Sequence, residues 1–377
     1  MTASEITTTG TEASRFAVED LNAYATAVFM AAGLSPVHAA EVAENLIIAD
    51  LRGIASHGVT RVPIYAERLK RGIVNAAPVI SAERGTGAAV VVDGDNGPGA
   101  VVGLAAMREA ILRAKAHGVG MSVARRSNHY GICSHYILKA IEAGCIGISA
   151  TNTAPSMAVW GSSEPAVGTN PIAFGMPAGR YPPYILDIAT SVVARGKIVE
   201  KSKRGEAIPP GWALDRDGQP TVDSVAAANG VVLPFAGPKG SGLAVIVDVL
   251  CGVLSGAAFG SLIGNLYSDF SNEQNIGHFF MAIDIAALRD PDDFTRDMET
   301  MIEMLKGKVR ASGFDEILMP GEHEVRLTEI AQRNGILIPA NVIAELVLTG
   351  KALGVSFPNP CGSRSAPPNA TGNSPMP

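Results

Sequence analysis

Ser56, His57 and Gly58, followed by Val59, Thr60 and Arg61, place an imidazole and a guanidinium four residues apart at the mouth of a turn. Pro63 fits best in the first turn of a helix, where its missing N–H leaves no carbonyl unpaired, so a helix is expected to start near Val59 or Thr60. Arg61 then stands at a helix N-terminus beside free backbone N–H groups. Such a place suits a carboxylate, because the helix end is partly positive and a guanidinium fork can bind both oxygens at once. His57 would lie beside the bound acid and could deliver a proton to a carbonyl oxygen, since histidine titrates near neutrality. Ser56 could orient that imidazole. The structural alternative is a surface ion pair at Arg61 and a hydrogen-bonded turn residue at His57.

A second polar cluster, Arg126-Ser127-Asn128-His129-Tyr130-Gly131, follows the apolar run VGMSVA and precedes a helical segment over 134–143. A strand end that opens into a helix is where α/β proteins place ligands, because backbone N–H groups face the site. His129 is the second candidate for a catalytic or cofactor-contacting histidine. His135, six residues on, does not share its helical face, which argues against a paired metal site. His117 precedes Gly118 at an expected helix end and has the weakest claim. For all three the alternative is a hydrogen-bonded turn or helix-end imidazole.

The third cluster, Gly237-Pro238-Lys239-Gly240-Ser241-Gly242, leads into a long apolar segment. A glycine-rich turn with a lysine can cradle a phosphate through backbone N–H groups, although the spacing is not that of a P-loop, and the glycines can equally serve a tight turn. Gly97, Gly99 and Gly103 follow a strand-like run, but GxGxxxG misplaces the third glycine for a Rossmann turn, so no Rossmann domain is expected from them. A serine hydrolase is disfavoured: adjacent Ser56 and His57 do not supply nucleophile, base and orienting acid at the required geometry, and no GxSxG elbow is present.

The elements that must position these residues are mixed. Residues 16–52 carry apolar residues at helical spacing, broken by Gly33 and Pro36, and read as two helices. From Ala88 onward short β runs (AAVVV, VGMSVA, CIGISAT, PIAFGMP) alternate with helical segments over 99–117 and 134–143. Residues 292–311 are charged and amphipathic, a PGE turn follows, and 329–334 and 341–348 read as helices expected to pack back on the N-terminal region. Residues 243–264 are long and apolar enough to test for a membrane span; the carboxylate of Asp248, four glycines and the lack of a basic flank favour a buried soluble helix. Residues 1–14 and 358–377 are rich in Ser, Thr, Pro and Gly and are expected to be disordered tails.

The 377 residues, with 47% hydrophobic content, suffice for a substantial core. A net charge of −6 offers no basic field for nucleic acid or an anionic membrane, so neither is expected as a partner. Cys133, Cys145, Cys251 and Cys361 form no CxxC pair or zinc spacing, so no metal site and no disulfide framework are expected. With a polar N-terminus that lacks the features of a secretory signal, the chain is expected to be cytoplasmic.

Taken in order, SHGVTRVPIY, DGDNGPG, RSNHYGICSHY, GTNPIAFGMP, LDIATSVVARGKI, IPPGWALDRDGQPT and GPKGSGLAVIVDVLCGVLSGAAFG resemble the type 2 malate/L-lactate dehydrogenase family over roughly residues 15–355. That family includes malate, sulfolactate and ureidoglycolate dehydrogenases, diketogulonate reductase and reductases of cyclic imino acids. The resemblance implies an α+β fold: a non-Rossmann cofactor domain with a largely antiparallel sheet flanked by helices, over 88–315, and a helical domain from both chain ends, 15–87 and 316–357. It also implies a homodimer, NAD or NADP as cofactor, and a small carboxylate substrate. By motif, Ser56 and His57 match the family's serine and proton-donating histidine, Arg61 its substrate-carboxylate arginine, and His129 a histidine that serves as proton acceptor in some members. Thr169 matches a substrate contact. Tyr130, Gly131, Ile132, Cys133, Thr153, Asp187, Ile188, Ala189, Arg195, Gly196, Pro238 and Lys239 match cofactor-lining positions. Gly321, Glu322 and Arg326 fall in a segment resembling a late cofactor loop. Thr153 stands where some members carry serine, and the tails exceed the family core.

Overall fold

A computed structural model describes residues 13–361. The chain opens with strand β1 (Ser14–Phe16), then helices α1 (Val18–Ala31) and α2 (Pro36–Leu51), the second started by Pro36 at its first turn and by the Ser35 hydroxyl, which accepts from the His38 N–H. Helix α3 (Val62–Lys70) follows a 3-10 turn over Val59–Arg61. The α-helix therefore starts at Val62, later than Val59 or Thr60. The carboxylate of Asp50 accepts the Val59 N–H and so ties that residue to α2 before the α-helical ladder begins.

The sheet region comprises β2 (Ser81–Thr86), β3 (Ala89–Asp93), α4 (Gly99–His117), β4 (Val119–Ser127), α5 (Cys133–Glu142), β5 (Cys145–Thr151), β6 (Ile172–Met176) and β7 (Tyr184–Ile188). A small lobe follows: α6 (Arg195–Arg204), β8 (Ala213–Leu214), β9 (Pro220–Thr221), α7 (Ser224–Asn229) and β10 (Val231–Val232). The chain then returns through α8 (Pro238–Asp248) to β11 (Ile276–Asp284), α9 (Ile285–Leu288) and α10 (Pro291–Lys306). It ends with α11 (Glu322–Asn334), β12 (Ile336–Ile338) and α12 (Ala340–Leu353).

Seven strands form the main sheet in the order β2-β3-β4-β11-β5-β6-β7, with only the β3–β4 pair parallel. The expected largely antiparallel sheet is what the fold contains. Its central strand, β11, buries side chains on both faces: Phe280 joins Val92, Met107, Tyr136 and Ile137 beneath α4 and α5, while Phe279 joins Val123, Val247 and Cys251 on the other side. A second core unites the two chain ends. Leu21, Phe29, Val42, Leu46 and Val62 pack with Ile336, Ile338 and Leu346, and β1 pairs with β12.

Two boundary expectations change. Ser14 already lies in β1, and the Cys361 N–H donates to the Arg15 carbonyl at 2.7 Å, so 358–361 run alongside the first strand; residues 1–12 and 362–377 lie outside the described ones. The segment 243–264 is not one buried helix. Helix α8 gives way to a single π turn over Val249–Val253, after which the Ser255 hydroxyl donates to the Cys251 and Gly252 carbonyls and Gly256 takes φ +78°. Val245, Ile246, Val249 and Val253 along it are exposed. Among the described residues no helix is long and apolar enough to cross a membrane.

Candidate active site

The Ser56-His57-Gly58 turn is built on Asp50, at the end of α2. The Val59 N–H donates to Asp50 Oδ2 at 2.8 Å, and a Cβ on Gly58 would sit 1.8 Å from Asp50 Oδ1, so only glycine lets the turn lie against that carboxylate. Burial pushes the Asp50 carboxyl up to about 7, against the pull of the Val59 hydrogen bond. Ser56 Oγ lies 2.9 Å from His57 Nδ1, within hydrogen-bond distance.

Across from this turn, the β4–α5 connection presents His129. The two imidazoles stack with centroids 5.5 Å apart and planes 24° from parallel. The His129 N–H donates to Gln274 Oε1 at 3.2 Å, and Tyr65 Oη lies 2.5 Å from His129 Nδ1. Burial, helped by the Arg61 charge, lowers His57 to about 4; the same two causes, with smaller effects from His57 and His278, hold His129 well below its usual value. Both rings are therefore neutral near pH 7.

Arg61, the residue before α3, is half-buried. Its guanidinium lies over the Tyr267 ring at 5.3 Å, its Nε is buried without a hydrogen-bond partner, and among the described residues it forms no ion pair with a carboxylate. The surface ion pair weighed above is thus not what holds Arg61. An uncommitted cation beside two neutral imidazoles is a receptor for one small anion and a source of a hydrogen-bond donor or base next to it.

A cleft of about 360 Å³ adjoins this turn. Ile54, two residues before Ser56, lines it together with Arg52, Asp187, Ile188, Gly321 and Glu324. The fold thus brings Asp187 and Ile188 to one opening with Pro320 and Gly321, and Ala189 follows Ile188 just past the strand end. Asp187 Oδ2 accepts the Ser134 N–H at 2.8 Å; burial raises its pKa, opposed by Ser134 and Arg52. Arg52 is only 6% exposed, and its Nε has no partner. Gly321 takes φ +96°, and a Cβ there would meet the Pro183 carbonyl at 3.0 Å, which keeps this wall of the cleft thin.

The other candidates divide. Thr169 and Thr153 meet around Gly168: the Thr169 carbonyl accepts from the Thr190 N–H and hydroxyl, and the Thr153 N–H donates to Asn170 Oδ1. Tyr130, Ile132 and Cys133 are packed into the core, with Tyr130 Oη 2.8 Å from Cys133 Sγ, and burial drives the Cys133 thiol well up, so it is no nucleophile. Gly131 beside them takes φ +80°. Pro238 and Lys239 form the exposed first turn of α8, and Arg195 and Gly196 that of α6, where Arg195 donates to the Ala228 carbonyl. The segment 322–326 is helix rather than loop. Within it Glu322 is buried against Lys306 at 2.6 Å and Arg326 pairs with Glu316, so both side chains already have structural partners while Gly321 alone of the three faces the cleft. His135 is fully buried on α5, edge-on to Tyr136, and takes no part in the cluster.

Five residues at the site carried no local signal: Asp50, Arg52, Tyr65, Tyr267 and Gln274. Of these only Tyr65 could have been found, since it lies one helical turn after Arg61 and so on the same face.

A family model described as malate/L-lactate dehydrogenase matches residues 16–347. The malate dehydrogenase of Pyrococcus horikoshii is 40% identical over 322 residues, covering 83% of this chain and 88% of that protein. The solved sulfolactate dehydrogenase of Methanocaldococcus jannaschii superposes with a TM-score of 0.86 at 36% identity, over 91% of this chain and 98% of that one. Delta1-piperideine-2-carboxylate reductase from Pseudomonas syringae pvar. tomato has a TM-score of 0.80 at 29% identity, over 89% and 99%. With the family pattern running through both cores and the whole Ser56 to Arg61 turn, this chain belongs to the malate/L-lactate dehydrogenase family of oxidoreductases.

Proposed function

We propose that the protein uses NAD or NADP to interconvert a small 2-oxo acid and its 2-hydroxy acid, with Arg61 gripping the carboxylate and His57, held by Ser56, exchanging the proton on the C2 oxygen. The observation that carries this is the unpaired Arg61 guanidinium next to the stacked, neutral His57 and His129. An acid bound there has its carboxylate on the cation and its C2 oxygen within reach of imidazole. Thr169 is the further candidate for a substrate contact.

The cofactor belongs in the cleft between Asp187, Ile188 and Gly321. Its fit rests on the thin glycine wall and on Arg52, a buried cation with an unpartnered Nε. A nicotinamide bound there supplies the hydride. The chain's part is to hold the acid, keep His57 oriented, and give or take one proton. Thr153, Ala189, Arg195, Pro238 and Lys239 are the further candidates for contacts along the dinucleotide. A non-Rossmann mode is supported by Gly99, whose Cβ would lie 2.1 Å from the Asn128 carbonyl: that glycine turn is filled by protein.

A homodimer is supported by the exposed apolar row Val245, Ile246, Val249 and Val253. A reducing, cytoplasmic setting is supported by four free cysteines among the described residues.

A second reading, reduction of a cyclic imino acid with the proton going to nitrogen, is favoured by the likeness to the piperideine-2-carboxylate reductase. Side-by-side NADH and NADPH oxidation with pyruvate, oxaloacetate, piperideine-2-carboxylate and pyrroline-2-carboxylate separates the two. Turnover of an open-chain 2-oxo acid is expected; turnover of the cyclic imines alone selects the second reading, and no turnover together with no cofactor-induced thermal shift overturns both.

A further inference from the structure

We infer that Tyr65 is the positioning residue that fixes His129 with its single hydrogen on Nε2, turning that ring into a hydrogen-bond donor toward the substrate oxygen. The donor role rests on the function proposed above, whereas the choice of nitrogen rests on geometry alone.

Two groups meet His129 Nδ1. The Gly131 backbone N–H points at it from 3.4 Å, and a backbone amide can only donate. The Tyr65 hydroxyl approaches the same nitrogen at 2.5 Å. A ring nitrogen that accepts a hydrogen bond carries no hydrogen, so a neutral ring has its hydrogen on Nε2, and the phenol must be the donor in its pair with Nδ1. The amide, which can only donate, selects the Nε2–H form, and the shorter Tyr65 contact reinforces it because a phenol donates more readily than it accepts.

The surroundings hold this arrangement in place. Tyr65 stands on α3 one turn beyond Arg61, and burial pushes its pKa well up, with Arg61 pulling slightly the other way, so it remains a phenol that can donate. The His129 backbone is fixed through Gln274. Gly131 keeps its amide aimed at the ring from a backbone with φ +80°, and a Cβ there would lie 1.7 Å from Asn45 Oδ1.

The two histidines then differ in kind. A serine hydroxyl can donate or accept, and among the described residues no backbone amide donates to His57 Nδ1, so Ser56 leaves His57 free to exist in either tautomer. His129 has no lone pair on Nε2 with which to take a proton from a hydroxy acid. In oxidation the proton therefore goes to His57, while His129 donates a hydrogen bond to the same oxygen in both directions and polarises the carbonyl in reduction.

The test is nitrogen NMR of the full-length protein labelled with 15N-histidine, with the His129 signals assigned through His129→Gln. The spectrum needs no substrate, so it is read independently of turnover. An Nε2–H pattern for His129 is expected in the native protein, changing to a mixture of tautomers in Tyr65→Phe. In that variant kcat for 2-oxo acid reduction is expected to fall on the order of 10-fold, with the cofactor KM unchanged. An Nδ1–H pattern in the native protein overturns the inference, as does a Tyr65→Phe protein whose His129 pattern and kcat match the native ones. If Tyr65→Phe does not fold, the native spectrum decides.

Discussion

The rings of His57 and His129 lie 5.5 Å apart and nearly parallel, although they come from different cores of the molecule. Burial is the main cause that keeps both rings neutral, Arg61 beside them is the second, and for His129 the nearby His57 adds a third. The arrangement leaves two unprotonated imidazoles across the neutral range beside the Arg61 cation.

The pH profile follows from this. His57 is lowered from 6.5 to about 4, so its proton-accepting form persists well below the usual histidine range and is lost only as pH falls toward that value. In kcat/KM for hydroxy-acid oxidation, the acid limb assigned to His57 is expected nearer 4 than 6.5. A limb at 6.5 that disappears in a His57 variant would contradict the burial argument.

Asp50 has the opposite linkage. Its carboxyl is raised from 3.8 to about 7, so above 3.8 the unfolded chain sheds a proton that the folded one retains, and the stability it contributes at low pH is lost as pH rises through about 7. Asp50→Asn keeps an acceptor for the Val59 N–H and removes that loss. Thermal melts should show the variant about 2 °C or more above the native protein at pH 8, with the gap closing toward pH 4. A gap that stays constant with pH would mean Asp50 titrates normally.

The Tyr267 ring holds the Arg61 fork from one side, and Arg68 pins its loop by donating to the Leu266 and Asp269 carbonyls at 3.2 and 2.6 Å. Losing a partly exposed cation–π contact of about 0.5–1 kcal/mol corresponds to roughly a 2- to 5-fold weakening. Tyr267→Ala is expected to raise KM for the acid by that factor with kcat unchanged, and Tyr267→Phe to leave it near the native value. Equal effects from both variants would place the contribution in the hydroxyl instead.

Gly58 and Gly196 should respond differently to alanine. Gly58 has φ −86°, outside the left-handed region, and the penalty at Gly58→Ala is expected from collision with the Asp50 carboxylate. Loss of at least 10-fold in kcat/KM and a lower Tm are expected there, because the turn carrying His57 must shift. At Gly196 an added Cβ meets nothing within 4 Å, so Gly196→Ala should melt like the native protein, and a raised cofactor KM in it would mark a dinucleotide contact.

Much of this was legible in the sequence where local spacing determines local structure. The helix over Gly99–His117 and Arg61 at a helix start follow from breakers and periodicity, and His57 and His129 stood out singly, not as a pair. The central strand β11 did not announce itself. Buried on both faces, IGHFFMAID lacks the alternation that marks a strand with one wet side. Tyr267 and Gln274 reach the site through packing between distant segments, which spacing does not encode, and Asp50 joins it through a hydrogen bond to Val59 nine residues on. The segment after Pro320, expected from the family resemblance to be a loop, is helical from Glu322, where the buried Glu322–Lys306 pair anchors the first turn.

The most direct test compares a 2-oxo acid with its neutral amide in the native enzyme and in Arg61→Ala. A guanidinium that grips the carboxylate through charged hydrogen bonds worth about 1.5–3 kcal/mol should give a preference for the acid on the order of 10- to 100-fold in kcat/KM, and that preference should vanish in Arg61→Ala. An acid preference of the same size in both proteins would show that the carboxylate binds elsewhere.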